Sequence, residues 1–347
     1  MAFEITGTGR AVPPRRVTND ELAKKIDTSD EWIRSHTGIG ARHLAGEETA
    51  TSDLALEAAK NALSMAIDPE GHAPAAEEAL ARAALSLDII VIATATPDFY
   101  GIPSTACIIQ EKLGAKRAGA MDITAACTGF IYGLETAAAL LSVDRERRRA
   151  LVIGAEVLSK FADWNDRSSC VLFGDGAGAV ILEKTQSPRE GPAKRGLLRT
   201  ILRADGTGAE NLMLRRGGSR NPFRTGETVI QPTCIEMNGQ AVYNFAVGAM
   251  TEIIIEMLSG EGISIDDVTR IIPHQANARI VQAAAKRLKI PEEKFFLNIE
   301  EYANTSAASI PIALDELNRK GELRRGDLIM TIGFGGGLTY GGNLMVW

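Results

Sequence analysis

Five short apolar runs punctuate the chain: Ile89–Ala95, Ala150–Gly154, Gly178–Leu182, Val268–Ile272 and Leu328–Ile332. Each is rich in Val, Ile or Leu and bounded by Gly or polar residues, which predicts strands buried on both faces. Longer stretches with apolar residues at helical spacing lie between them: Ser52–Ala66, Ser104–Leu113, Gly129–Leu141, Ala241–Leu258, Ala278–Leu288 and Ala308–Lys320. Strands alternating with helices predict α/β layers. A last strand is expected over Asn343–Trp347. The polar stretch Lys184–Arg195 holds two prolines and a glycine and has no apolar period, so it reads as a boundary. It divides the chain into residues 1–185 and 195–347. Each half contains a run ending in a polar turn and then a small-residue helix, which hints at an internal duplication. Asp68–Glu78, with Pro69, Gly71 and Pro74, reads as a surface excursion.

The chain has 347 residues, 45% hydrophobic and 24% charged, the balance of a soluble globular protein. Its net charge of −6 argues against nucleic acid as a partner. Basic residues do gather on one expected helix, at Arg279, Lys286, Arg287 and Lys289, and pattern alone reads them as a solvated face. The apolar runs are too short to span a bilayer, and the N-terminus lacks the features of a signal peptide. Four scattered cysteines, at 107, 127, 170 and 234, have neither disulfide-framework nor zinc-ligand spacing, so no metal is expected. Free thiols in a reducing cytoplasm are the simplest expectation.

Three polar residues stand where a run meets a helix. Cys127, in Ala125-Ala-Cys-Thr-Gly-Phe, falls at the N-terminal end of the helix from Gly129. Helix N–H groups and dipole favour a thiolate there, while burial in the core is the ordinary fate of a free cysteine. Context leaves both open for Cys127, and the core reading suits Cys107, Cys170 and Cys234. His274, in Pro273-His-Gln-Ala-Asn, follows a strand and precedes a helix, where α/β proteins place site residues. His36, His43 and His72 sit in polar surroundings and read as surface or minor structural residues. Asn304, in Asn304-Thr-Ser-Ala-Ala-Ser, taken alone reads as a helix cap. The run Gly333-Phe-Gly-Gly-Gly-Leu-Thr-Tyr-Gly could bring backbone N–H groups close to a substrate oxyanion. It lacks the Gly-Lys-Ser/Thr ending of a phosphate loop. Phe173-Gly-Asp-Gly-Ala-Gly leads into a strand, so a dinucleotide-binding reading is rejected.

These segments, in order and together with Asp27-Thr-Ser-Asp-Glu-Trp-Ile, resemble the β-ketoacyl-acyl carrier protein synthase III family of thiolase-like condensing enzymes. The resemblance runs over nearly the whole chain. It implies two duplicated βαβαβαββ halves in a five-layered α-β-α-β-α arrangement, and a homodimer. It implies decarboxylative condensation of a short acyl-CoA primer, acetyl-CoA first among them, with malonyl-acyl carrier protein in fatty acid biosynthesis. Cys127, His274 and Asn304 would be catalytic, with Cys127 carrying the acyl group. Backbone N–H groups of Cys127 and Gly336 would form the oxyanion hole. Trp32, Arg167 and Asn277 would bind CoA. Met237 and Phe334, with Ile102 from a partner subunit, would bound the acyl pocket. Arg279, Lys286 and Arg287 would dock the acidic carrier protein. Acyl-CoA enters as substrate, so no cofactor is expected.

Two positions depart from the family pattern. His36 stands where an Arg is common, and Ile67–Leu85 is longer than usual. A related condensing or acyl-transfer enzyme with another primer or acceptor would carry the same three residues. A papain-type Cys-His-Asn hydrolase would show a Cys-Gly-Ser-Cys-Trp-like signature, which is missing here. A non-catalytic acyl-CoA-binding relative would be expected to have lost one of the three.

Overall fold

The computed structural model describes residues 2–69, 75–186, 195–226 and 233–347. Two mixed sheets dominate it. The first holds β1 (Ala2–Ala11), β2 (Ile89–Ala93), β3 (Gly119–Ile123), β4 (Arg149–Glu156) and β5 (Gly176–Thr185), in the order β1-β5-β4-β2-β3. The second holds β6 (Gly196–Ala204), β7 (Arg270–Pro273), β8 (Leu328–Gly335) and β9 (Thr339–Val346), in the order β6-β9-β8-β7. Pairing directions correspond. β1/β5 and β5/β4 are antiparallel and β4/β2 and β2/β3 parallel; β6/β9 and β9/β8 are antiparallel and β8/β7 parallel. Where β3 would have a counterpart, the second sheet has a single parallel bridge, Ile271 to Phe295.

Side-chain alternation explains the unbroken apolar runs. In β2, Ile89 and Val91 face one core cluster while Ile90 and Ile92 face another, and β4 and β5 divide the same way. The outer cluster of the first sheet is closed by α1 (Thr51–Ile67) and α2 (Thr105–Leu113). The inner cluster contains α3 (Gly129–Val143) and α6 (Ser309–Arg319), sandwiched between the two sheets. The second sheet's outer face is covered by α4 (Gly239–Glu261) and α5 (Ala278–Leu288). This is the expected five-layer thiolase-like stack.

Several elements differ from expectation for identifiable reasons. β1 lacks a clear apolar run because Gly7 and Gly9 sit in it. A Cβ at either would lie 2.3 Å from the backbone of α1 at Ala62, so the glycines exist to let that helix approach. β3 is a short edge strand with Asp122 in it, whose carboxylate accepts from the Thr105 and Ala106 N–H groups at the start of α2. The boundary at Lys184–Arg195 lies mostly outside the described residues, as do His72 and part of Asp68–Glu78. Two helices, Ala126–Val143 and Gly239–Glu261, are long and apolar enough to cross a bilayer, contrary to the reading of the apolar runs. Both are built into the packed layers. Of the cysteines read as core residues, Cys170 is buried, but Cys107 is exposed and Cys234 half-buried.

The central layer needs glycines where each sheet meets the other half's turn. A Cβ at Gly154 of β4 would lie 2.1 Å from the carbonyl oxygen of Ala307. A Cβ at Gly333 of β8 would lie 3.3 Å from the Cα of Thr128. Gly154→Ala must therefore displace backbone rather than a side chain. It is expected to cost about 1–3 kcal/mol, read as a lower midpoint in chemical denaturation. An unchanged midpoint would contradict this packing.

Candidate active site

Cys127 lies in a single helical turn, Ala126–Thr128, that feeds directly into α3. Ala126 before it holds φ at +44°, a left-handed conformation that non-glycine residues rarely adopt. This sharp turn lifts the cysteine off the strand end and aims it between the halves. The second half repeats the device. Ser306–Ala308 forms a turn before α6, and Ser306 has φ +48°. Ala307 thus occupies the place of Cys127, and the two turns face each other.

The other two residues converge here. His274 follows β7, anchored by its N–H to the Ile332 carbonyl at 2.7 Å. Its Nδ1 lies 2.8 Å from the Ser309 hydroxyl. Ser309 also accepts from the Gln275 N–H at 3.4 Å, so its hydroxyl ties the ring to the backbone at the start of the following loop. Asn304 is fixed by its N–H to Leu172 O and by Gly174 N–H to its carbonyl. Its side-chain oxygen accepts from the Ser306 N–H at 2.9 Å, so its amide nitrogen is left to donate. Asn304 is not the cap of α6 suggested by its context; its side-chain bond closes the turn before that helix.

Cys127, His274 and Asn304 line one cavity of about 230 Å³, together with Phe334, Met237 and Gly335. The ring of Phe334 meets that of His274 edge-on, with centroids 5.4 Å apart. A Cβ on Gly335 would lie 2.8 Å from the Cys127 nitrogen, so the glycine run lets β8 touch the turn that carries Cys127. Gly336, the next residue, lies beside Ala126, with its ideal Cβ 3.5 Å from the Ala126 side chain. A larger groove of about 410 Å³, lined by Arg15, Leu22, Lys160 and Trp164, contains none of these three residues.

The three side chains are buried, and their ionisations follow from that. Burial pushes the His274 ring down to about 3, so it is a neutral donor rather than a cation. Burial pushes the Cys127 thiol up to about 12. A hydrogen bond with Ser306 opposes the rise and the charge of Glu156 adds to it. Of the two readings the sequence left open for Cys127, burial favours the protonated thiol, because desolvation outweighs the helix terminus. Sequence reasoning missed Glu156, the last residue of β4. It is fully buried and unpaired with any cation among the described residues. Burial raises its carboxyl to about 7 against the hydrogen bonds it receives. Its signal in the sequence is slight: a carboxylate ending an otherwise apolar strand.

Comparison with known proteins decides the family. The profile described as 3-oxoacyl-[acyl-carrier-protein] synthase III matches residues 121–206, and that of its C-terminal region matches residues 258–347. A β-ketoacyl-[acyl-carrier-protein] synthase III of Clostridium acetobutylicum is 45% identical, aligned over 100% of this chain and 99% of its own. The chain belongs to the 3-oxoacyl-[acyl-carrier-protein] synthase III family. A second family member, from Caldanaerobacter subterraneus, is 46% identical over 100% of this chain and 98% of its own. A crystal structure of the synthase III from Aquifex aeolicus superposes with a TM-score of 0.85 at 43% identity, covering 99% of this chain and 100% of that one. A priming β-ketosynthase of the R1128 polyketide pathway gives 0.86 at 31% identity, covering 99% of this chain and 96% of that one. Membership makes this an acyltransferase of the condensing type.

The remaining family positions divide into three groups. Trp32 and Asn277 line the cavity, and His36, exposed as expected, lines it as well. His36 stacks on Trp32 with ring centroids 4.5 Å apart, and the Arg167 guanidinium lies 5.3 Å from the Trp32 ring centroid. Asn277 caps α5 and donates to the His36 carbonyl at 3.1 Å. Arg279, Lys286 and Arg287 are exposed on α5. Ile102 does not reach the cavity of its own chain. It is 88% exposed, near exposed Phe99 and Tyr100.

The buried neutral His274 makes a stability prediction with a definite sign. Unfolding returns the ring to its ordinary value of 6.5 from about 3, so the unfolded chain binds the extra proton between those values. Stability from this group is fully present above the upper value and is lost as pH falls toward the lower. Denaturation of His274→Gln at about pH 7 and about pH 4.5 should show a smaller acid-side loss than the parent. An identical loss would contradict a buried neutral ring.

Proposed function

We propose that this chain starts fatty acid synthesis by condensing acetyl from acetyl-CoA with malonyl on acyl carrier protein, through an acyl-Cys127 intermediate. The observation that carries this reading is the convergence on one cavity of a thiol and two neutral N–H donors, from His274 and Asn304. The thiol supplies the nucleophile, and CoA leaves an acyl-enzyme. Malonyl then loses CO2, and its thioester oxygen gains negative charge. Two neutral donors in a water-excluded site stabilise that enolate without competing for its charge as acids. The enolate carbon attacks the acyl carbonyl, whose oxyanion would be held by the N–H groups of Cys127 and Gly336.

Trp32, Arg167 and Asn277 would be the CoA contacts, a reading supported by Trp32 and Asn277 lining the cavity and Arg167 lying over the Trp32 ring. Arg167 would swing off the Trp32 ring to admit the adenine between them. His36 replaces a charged contact with an aromatic one. Met237 and Phe334 bound the acyl end of the cavity. Exposed Ile102, with Phe99 and Tyr100, makes sense in a homodimer that brings a partner's Ile102 to this pocket. Arg279, Lys286 and Arg287 offer the acidic carrier protein a basic face, since complementary charge speeds and orients encounter. The two halves would meet in the boundary near 185–195. The cytoplasm, which holds these substrates, is the expected compartment, and acyl-CoA is a substrate rather than a cofactor.

A primer panel with malonyl-carrier protein tests the reading, with ketoacyl products scored by mass. Short primers are expected to be condensed best. His274→Ala and Asn304→Ala should each lower condensation by about 100-fold or more, since each removes one donor to the enolate. Undiminished condensation in both variants, or none with any primer in the parent, would contradict it.

A further inference from the structure

Glu156 ends β4 in the first half, fully buried and with no role in the chemistry above. Three donors converge on its Oε2: the Thr96 hydroxyl at 2.7 Å, the Thr96 N–H at 3.1 Å and the Thr94 hydroxyl at 3.2 Å. The Ala95 N–H reaches both oxygens at 3.1 Å. Thr96 is held in turn, because its hydroxyl accepts from the Val157 N–H at 2.9 Å. The segment that follows β2 thus clamps the carboxylate in place. Oε1 is left to face the second half, where it accepts from the Ser306 hydroxyl at 3.0 Å.

On the far side of that bond stands Asn304. Its backbone is fixed by bonds to Leu172 and Gly174, but those leave its side-chain torsions free. The amide is aimed by the Ser306 N–H, which donates to its side-chain oxygen at 2.9 Å. The direction of that N–H follows from the Ser306 backbone, which holds φ at +48°. Thr305, between the two, adds no anchor, since its hydroxyl is buried without a hydrogen-bond partner. The matching turn of the first half adopts the same conformation with Ala126, so a hydroxyl is not what lets such a turn form. At Ser306 the hydroxyl instead couples the turn to a carboxylate of the opposite half. His274 lies outside this chain of contacts, with its Nδ1 at Ser309.

We infer that Glu156 is a positioning residue for the Asn304 amide, acting through the Ser306 hydroxyl and N–H. The inference rests on reading Asn304 as a donor to the malonyl enolate. Glu156 touches no reacting atom and moves no proton in this scheme. Its part is geometric: the clamped first half fixes the second half's turn, and the turn fixes where the amide N–H points. A preorganised donor is sensitive to such aim, since a displacement of about 1 Å can cost about 100-fold in rate.

Carbon dioxide release from malonyl-carrier protein, measured in the parent and in an Asn304→Ala background, tests this. Ser306→Ala removes the tether, keeps the N–H and, as Ala126 shows, can hold the turn. It should slow release by about 10-fold or more in the parent. Glu156→Ala should do the same. In the Asn304→Ala background neither should slow release further, because the amide they aim is gone. A role in the fold alone, or an effect exerted on Cys127, would persist in that background. Should Glu156→Ala fail to fold, Ser306→Ala carries the test by itself. Release by Ser306→Ala at the parent rate, or an equal loss in both backgrounds, would overturn the inference. An Asn304→Ala enzyme as fast as the parent would overturn the reading of Asn304 as an enolate donor, and this inference with it.

Discussion

The structure depends on two small-residue turns pressed together in its central layer. Each carries a residue in the left-handed region, Ala126 in one half and Ser306 in the other. Strain of this kind persists only where surroundings enforce it. Here the enforcement is visible in the glycines. Gly154 lies under the second turn, and Gly333 and Gly335 lie against the first. Without side chains at these points the strands approach closely enough to set Cys127 beside Ser306. The strained turn at Ser306 in turn holds Asn304, because the Ser306 N–H binds the Asn304 side chain. The likeness of the two turns thus has a structural consequence: one places Cys127, and the other places Ser306 and Asn304 opposite it.

The second consequence is electrical. A site this deeply buried cannot hold charge cheaply, so His274 is neutral and the thiol and Glu156 keep their protons longer than they would in water. Neutral donors suit a reaction whose negative charge appears on the substrate during the step itself. A permanently charged imidazolium would bind the malonyl group tightly at the start and gain less in the transition state. The hydroxyl of Ser309 matters here because, by its contact at Nδ1, it fixes the orientation of the ring.

Much of this was legible in the chain, and the gaps have physical reasons. The strands buried on both faces stood out because alternating Ile and Val residues fill two different clusters, as at Ile89 to Ile92. β1 was hidden by Gly7 and Gly9, whose purpose is to admit α1 and not to fill a core. The family resemblance named Cys127, His274 and Asn304, and folding brings all three to one cavity. It could not weigh burial against the helix dipole, so the ionisation of Cys127 was left open. Glu156 was missed because a carboxylate at a strand end looks like a surface residue until the opposite half is placed over it. Ile102 is beyond reach of a single chain in either description.

The account stands or falls on Cys127 as the atom that accepts the acyl group. The direct measurement is mass mapping of the protein after incubation with labelled acetyl-CoA and no malonyl donor. The account predicts one acetyl group, on the peptide containing Cys127, discharged when malonyl-carrier protein is added. Label on Cys107, Cys170 or Cys234, or an adduct on Cys127 that malonyl-carrier protein leaves in place, would contradict it.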